Sequence, residues 1–185
     1  MNNIEQQIDE LTREVITFIP DPNSPHDKYI IITLIEALKA VKEDNFGVGA
    51  VLIHEDGEII ERGHNRVFKP YFRSDQHAEM HVMTKFENRY KDITQIEKFI
   101  LFSSMEPCPM CFARLLISGI KRVYYATSNE TGGMVHKLKD MTSTCELYAQ
   151  GKNFSLAKCS PRLQEMSMKI FMVNAKEKYE NILYR

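Results

Sequence analysis

Two short stretches, His77-Ala78-Glu79 and Pro107-Cys108-Pro109-Met110-Cys111, constrain this chain more than anything else in its 185 residues. They supply three metal-binding side chains and one carboxylate left over. Cys108 and Cys111 are three positions apart, so a helix beginning at the Pro107/Pro109 pair projects both sulfurs to one side of its first turn, where one ion bridges them. Free backbone N–H groups and the positive end of the helix dipole favour thiolate there, the form that ligates metal. His77 completes a His/Cys/Cys set suited to Zn2+. Three protein ligands leave zinc a fourth position for water or substrate, the arrangement of a catalytic site. A water held there is acidified from a pKa of about 15.7 towards roughly 7. Glu79 is two residues beyond His77, about 200° round a helix, and so suits proton transfer better than ligation.

Blander readings exist for the same residues. A C-x-x-C pair also occurs as half of a structural zinc site or as a redox motif, and a structural site needs a fourth protein ligand. Cys145 and Cys159 are fourteen residues apart, which is no ligand pair. His81, four residues past His77, shares its face if both lie on one helix, and is the candidate fourth ligand. The alternative is a helical His81 packed beneath the site.

His77-Ala-Glu79 together with Pro107-Cys108-Pro-Met-Cys111 fits the H-x-E and P-C-x-x-C signature of zinc deaminases. The stretch from Phe46 to Asp140 resembles the cytidine deaminase-like superfamily, and within it the guanine deaminases and the tRNA adenosine deaminases. That resemblance implies a three-layer α/β/α sandwich around a five-stranded mixed sheet, Zn2+ held by His77, Cys108 and Cys111, Glu79 as the catalytic proton carrier, and a homodimer. Two clues diverge inside the group. Ser104 to Cys111 looks like the guanine enzymes, whereas Thr131-Gly132-Gly133 is similar to a loop of the tRNA enzymes. Purine-acting members hold the base with an asparagine after the first hairpin. Asn65 is the matching residue, and with the Ala78 backbone N–H it makes the substrate contacts that the resemblance implies. Taken alone, an Asn after a strand is ordinarily a turn residue.

Read from its start, the chain fits a single domain, 1–185, with 1–24 as a helical extension and 161–185 as a C-terminal helix. Ile4, Ile8, Leu11, Val15 and Ile19 mark an amphipathic helix over about 2–18, a candidate lid or partner contact. Tyr29, Ile32, Ile35, Leu38 and Val41 mark a second helix. Gly47 to His54 and Glu58 to Gly63 read as strands joined by an Asp56-Gly57 hairpin turn. Residues 66–76 form a loop whose Phe68, Tyr71 and Phe72 either stack on a flat base or pack. Asp75 is placed to cap the helix that follows, which carries Met80, Met83 and Phe86. Phe99 to Ser103 and Val123 to Thr127 are strands around the Cys108 helix. This alternation brings both metal-bearing helices to one sheet edge.

Composition narrows the partners. Hydrophobic residues make up 43% and charged residues 26%, and no apolar run approaches the roughly 18 residues of a membrane span. The polar start lacks the order of a signal peptide, and reduced cysteines fit the same expectation of a cytoplasmic protein. A net charge of −1 disfavours a polynucleotide partner. Lys121, Arg122, Lys137 and Lys139 are scattered rather than clustered. The expected substrate is therefore a small aminated nucleobase or nucleoside, a guanine-type purine first, with adenosine in tRNA as the alternative. A zinc-retaining binding module is a third reading, disfavoured because such a module has no use for Glu79.

Overall fold

The computed structural model describes residues 3–185; Asn2, the expected start of the first helix, lies outside them. Strands β1 (Gly49–His54) and β2 (Ile59–His64) form the antiparallel hairpin signalled by Asp56-Gly57. Gly57 takes a φ of +97°, open to a residue without a Cβ, and Asp56 Oδ1 accepts the Glu58 N–H at 3.0 Å. β3 (Phe99–Met105) runs antiparallel to β1, and β4 (Arg122–Thr127) and β5 (Asn153–Leu156) follow in parallel. The order β2-β1-β3-β4-β5 is the expected five-stranded mixed sheet. β5 escapes the sequence pattern because it has only four residues, none of them buried.

Strands β1 and β3 are covered on both faces, so they are almost wholly apolar, and successive side chains enter opposite cores. Val51, Ile53 and Phe102 face a core shared with α2 (Asp27–Lys42) and α6 (Pro161–Met172). Ala50, Leu52 and Leu101 face the other, shared with α3 (Ala78–Arg89) and α4 (Pro109–Ile117). Helix, sheet and helix make three layers. α1 (Asn3–Ile16) buries Ile8, Leu11 and Val15 in the first core, so the N-terminal extension is part of the outer layer rather than a lid. Burial of three such side chains is worth on the order of 5 kcal/mol before the entropy of ordering the helix is set against it.

Two features bring chain segments to the C-terminal end of β3. α2 crosses β1 so closely that a Cβ on Gly49 would collide with Thr33 O and the Ala37 N, which delivers Phe46 and Val48 to that end. The segment 161–185, expected as one helix, forms two. α6 stops at Met172 because Asn174 leaves helical geometry (φ −135°, ψ 5°) and donates its Nδ2 to Asn45 O at 2.8 Å. α7 (Ala175–Leu183) then turns back across the sheet end. α5 (Ser143–Ala149) lies between β4 and β5. Among the described residues no helix is long and apolar enough to cross a membrane.

Candidate metal centre and cavity

His77 and Cys108 occupy equivalent places. Each is the N-cap residue of its helix, α3 and α4, with extended backbone (ψ 160° and 169°) and no capping side chain. Pro109 opens α4 without an N–H to leave unpaired, and Cys111 follows on the first turn. Both helices therefore begin at the same end of β3 and aim their positive termini at one point. Arg114 fixes their register by donating from α4 to Met80 O at 3.0 Å, Thr84 Oγ1 at 2.8 Å and Glu87 Oε2 at 2.7 Å on α3. Asp75 is not the cap. Its carboxylate is taken by Arg73 and Gln76, two positions too early.

His77 Nδ1 lies 3.4 Å from Cys108 Sγ and 3.6 Å from Cys111 Sγ, and the three ligand atoms fall within 4.8 Å of one another. Zinc bonds of about 2.3 Å to sulfur and 2.0–2.1 Å to nitrogen at tetrahedral angles place those atoms about 3.5 Å apart. The donor set fits zinc. His81 does not join it, because its Nδ1 is buried without a partner beside Gly63. Cys108 is drawn down to about 4 by its hydrogen bond with Cys111 and by His77, which outweigh burial. Cys111 is pushed well up by that same bond and by burial.

Glu79 stands apart from the donor set. It is 4% exposed, accepts the Ser103 hydroxyl at 3.2 Å and lies 3.4 Å from Cys111 Sγ. Burial, then the charge of Cys108, pushes its carboxyl up, which suits a group that must both take and return a proton. Because His77 precedes the helix, Glu79 is separated from it by a change of backbone direction rather than by a turn of helix.

Glu79, His77 and Cys108 open onto a cavity of about 230 Å³. Its walls are apolar, from Phe46 and Val48 before β1, Met105, Phe171 on α6, and Tyr179 and Ile182 on α7. No Lys or Arg lines it. Asn65 faces it too, 2% exposed, with its Oδ1 accepting the Val67 N–H at 3.1 Å. Ala78 packs its side chain into the core, and only its backbone N–H, the first of α3, lies at the site end. Phe68 and Phe72 pack against each other and behind Phe46, so these loop aromatics support the wall rather than line it. A larger hollow of about 480 Å³ beside His54, Arg89 and Lys98 lies at the far end of the sheet and holds no metal-binding cluster.

Sequence reasoning missed Glu106, Asn129 and the α7 wall. Glu106 was visible only as an acid ending an apolar strand. It is buried, and it accepts the Asn129 N–H at 3.0 Å, the His136 N–H at 3.1 Å and His136 Nδ1 at 2.7 Å. Burial alone would raise its carboxyl, but these bonds outweigh it and hold it low.

Comparison with known proteins agrees with this geometry. The profile of the cytidine and deoxycytidylate deaminase zinc-binding region matches residues 23–127. A tRNA-specific adenosine deaminase of Bacillus subtilis (strain 168) is 33% identical over 105 residues, which cover 57% of this chain and 63% of that protein, under two thirds of its length. A structure from work on A-to-I editing by tRNA:A34 deaminases superposes with a TM-score of 0.65 at 25% identity, covering 77% of this chain and 98% of the other. A guanine deaminase from Nitrosomonas europaea shares the fold, with a TM-score of 0.60 at 16% identity over 85% and 90% of the two chains.

Proposed function

Because the chain belongs to the cytidine and deoxycytidylate deaminase zinc-binding family, we propose that it hydrolytically deaminates an aminated nucleobase, a free guanine-type purine before others, releasing ammonia. The observation that carries this reading is the placing of Glu79: a buried carboxylate outside the donor set, opening onto the same cavity as His77 and Cys108. His77 Nδ1, Cys108 Sγ and Cys111 Sγ would hold the cation. When bound, zinc supplies a Lewis acid that makes water available as a nucleophile near neutral pH.

The remaining work falls to the chain. Glu79 takes a proton from the attacking water and delivers it to the ring nitrogen beside the amine-bearing carbon. It then takes the second proton from the hydroxyl now on that carbon and passes it to the amine, the C–N bond breaks, and ammonia leaves as the oxygen becomes a ring carbonyl. Ser103, by donating to one oxygen, keeps Glu79 turned towards the cavity. Asn65 and the Ala78 N–H hold the base in plane with this group, and the apolar walls exclude bulk water.

Charge and shape favour a free base. A polynucleotide site gathers Lys and Arg along the phosphate path, and among the described residues this cavity has neither, while α7 adds Tyr179 and Ile182 to its wall. The second reading, adenosine within tRNA, is favoured by the names of the similar proteins. Substitution Glu79→Ala tests the chemistry: turnover should fall at least 100-fold with zinc content and melting temperature retained. A parent protein that releases no ammonia from any free base, nucleoside or tRNA would sink the enzyme reading, and reaction of tRNA alone would sink the free-base one.

A further inference from the structure

The two asparagines at the cavity use their amides in the same divided way. Asn65 Oδ1 is occupied by the Val67 N–H. Asn129 Oδ1 accepts the Gly132 N–H at 3.0 Å and the Thr131 hydroxyl at 3.2 Å. Of the two ends of an amide only the oxygen accepts from a backbone N–H, so neither amide can be reversed without placing two donors face to face. Each oxygen therefore builds a turn, and each nitrogen, in the wall of the cavity, is left without a hydrogen-bond partner among the described residues. The turn role and a ligand role fall on different atoms of one side chain.

Asn129 has a further support that a turn does not need. Glu106 lies beneath its loop and takes three donors from it, while Gly133 packs against the Glu106 carboxylate so tightly that a Cβ would collide with it. Asn129 O in turn accepts the Gly133 N–H at 2.7 Å. A buried carboxylate is costly unless fully bonded. Here its bonds converge on one loop, and that loop sets Asn129 in the cavity wall with its amide oxygen already engaged.

We propose that Asn129 is a second base-reading residue, that with Asn65 it presents N–H donors to the acceptor edge of a carbonyl-bearing heterocycle, and that Glu106 is the positioning residue that fixes it. This rests on the deaminase reading for the identity of the ligand as a base. A ring carbonyl satisfies such donors, whereas an exocyclic amine at the same position turns N–H against N–H. The cavity thus prefers an oxo-aminopurine to its diamino counterpart.

The test is equilibrium binding of guanine and of 2,6-diaminopurine by calorimetry to the zinc-loaded protein carrying Glu79→Ala, which prevents turnover. Guanine should bind at least tenfold more tightly. Asn129→Asp keeps the turn oxygen but replaces the donor with an acceptor, so the guanine preference should shrink about tenfold or reverse. Asn129→Ser, which keeps a turn hydroxyl but falls short of the ligand, should also erase it. In the active protein Glu106→Gln should raise KM for guanine severalfold with kcat and zinc content little changed, while the melting temperature falls because one of the three donors loses its acceptor. Unaltered preference in both Asn129 variants, or no binding of either base, overturns the inference. An inert parent whose binding preference still shifts with Asn129 leaves this inference standing and removes the deaminase reading, while an active parent with an unmoved preference does the reverse.

Discussion

Glu36 is a carboxyl that this fold holds far below its ordinary range. Burial alone would push its carboxyl up, but hydrogen bonds from His64 and Lys39 outweigh that and hold it at about 2. His64 faces Glu36 with Nδ1 and Glu43 with Nε2, both at 3.1 Å, so both ring nitrogens carry protons and its pKa is raised despite burial. Glu36 therefore stabilises the fold fully above about pH 4.5, and the contribution is lost as pH falls towards 2. The His64 contribution is present below 6.5 and is lost as pH rises through its raised value. Glu36→Gln should cost roughly 2–3 kcal/mol in urea unfolding at pH 5.5, with the gap closing towards pH 2.5; an equal gap at both would contradict the pairing. At this scale the sequence was legible where spacing carries chemistry. His77, Glu79, Cys108 and Cys111 announce themselves by types and intervals. Glu106 and Asn129 do not, because what each does depends on a loop folded over it from 23 residues away.

Helix α7 is held less by its apolar face than by its underside. Lys178, 1% exposed, pairs with Asp44 and with Glu177 and lies 5.3 Å from the Phe68 ring, while Asn174 bonds the neighbouring Asn45 carbonyl. These contacts set the distance of Tyr179 and Ile182 from the metal centre. Lys178→Met keeps the aliphatic stem and removes the ion pair, and Asp44 stays hydrated. We expect a stability loss of roughly 1–2 kcal/mol and a severalfold rise in KM for the free base with kcat little changed. An unchanged KM would show that α7 does not shape the cavity. Element positions were legible wherever hydrophobic period was strong, as in α2, β1, β3 and α6. The break between α6 and α7 was not, since Asn174 ends the helix through a partner on a loop 129 residues earlier. The N-cap of α3 was misread for a related reason: Asp75 has the right chemistry, but the helix waits for the metal-facing residue.

The whole molecule carries a net charge of −1 and walls its site with aromatic and aliphatic groups. A substrate held by six to ten phosphate contacts loses about 10³- to 10⁵-fold in affinity between 50 and 200 mM salt. KM for the substrate of this protein should instead change less than about twofold across that range. A steep salt dependence would assign the site to a polynucleotide. An α/β sandwich was legible from the alternation of strands and helices, and its three layers and five strands from the family resemblance. The wall that the last helix gives the cavity was not, because it depends on how distant segments meet rather than on any one pattern.

That wall comes from the last part of the chain. All three metal-binding side chains and Glu79 emerge within the first 111 residues, whereas Phe171, Tyr179 and Ile182 emerge some sixty residues later. The ligands of the cation and the apolar lining of the cavity are thus written in separate parts of the chain, so the lining can vary while the four reacting side chains stay the same.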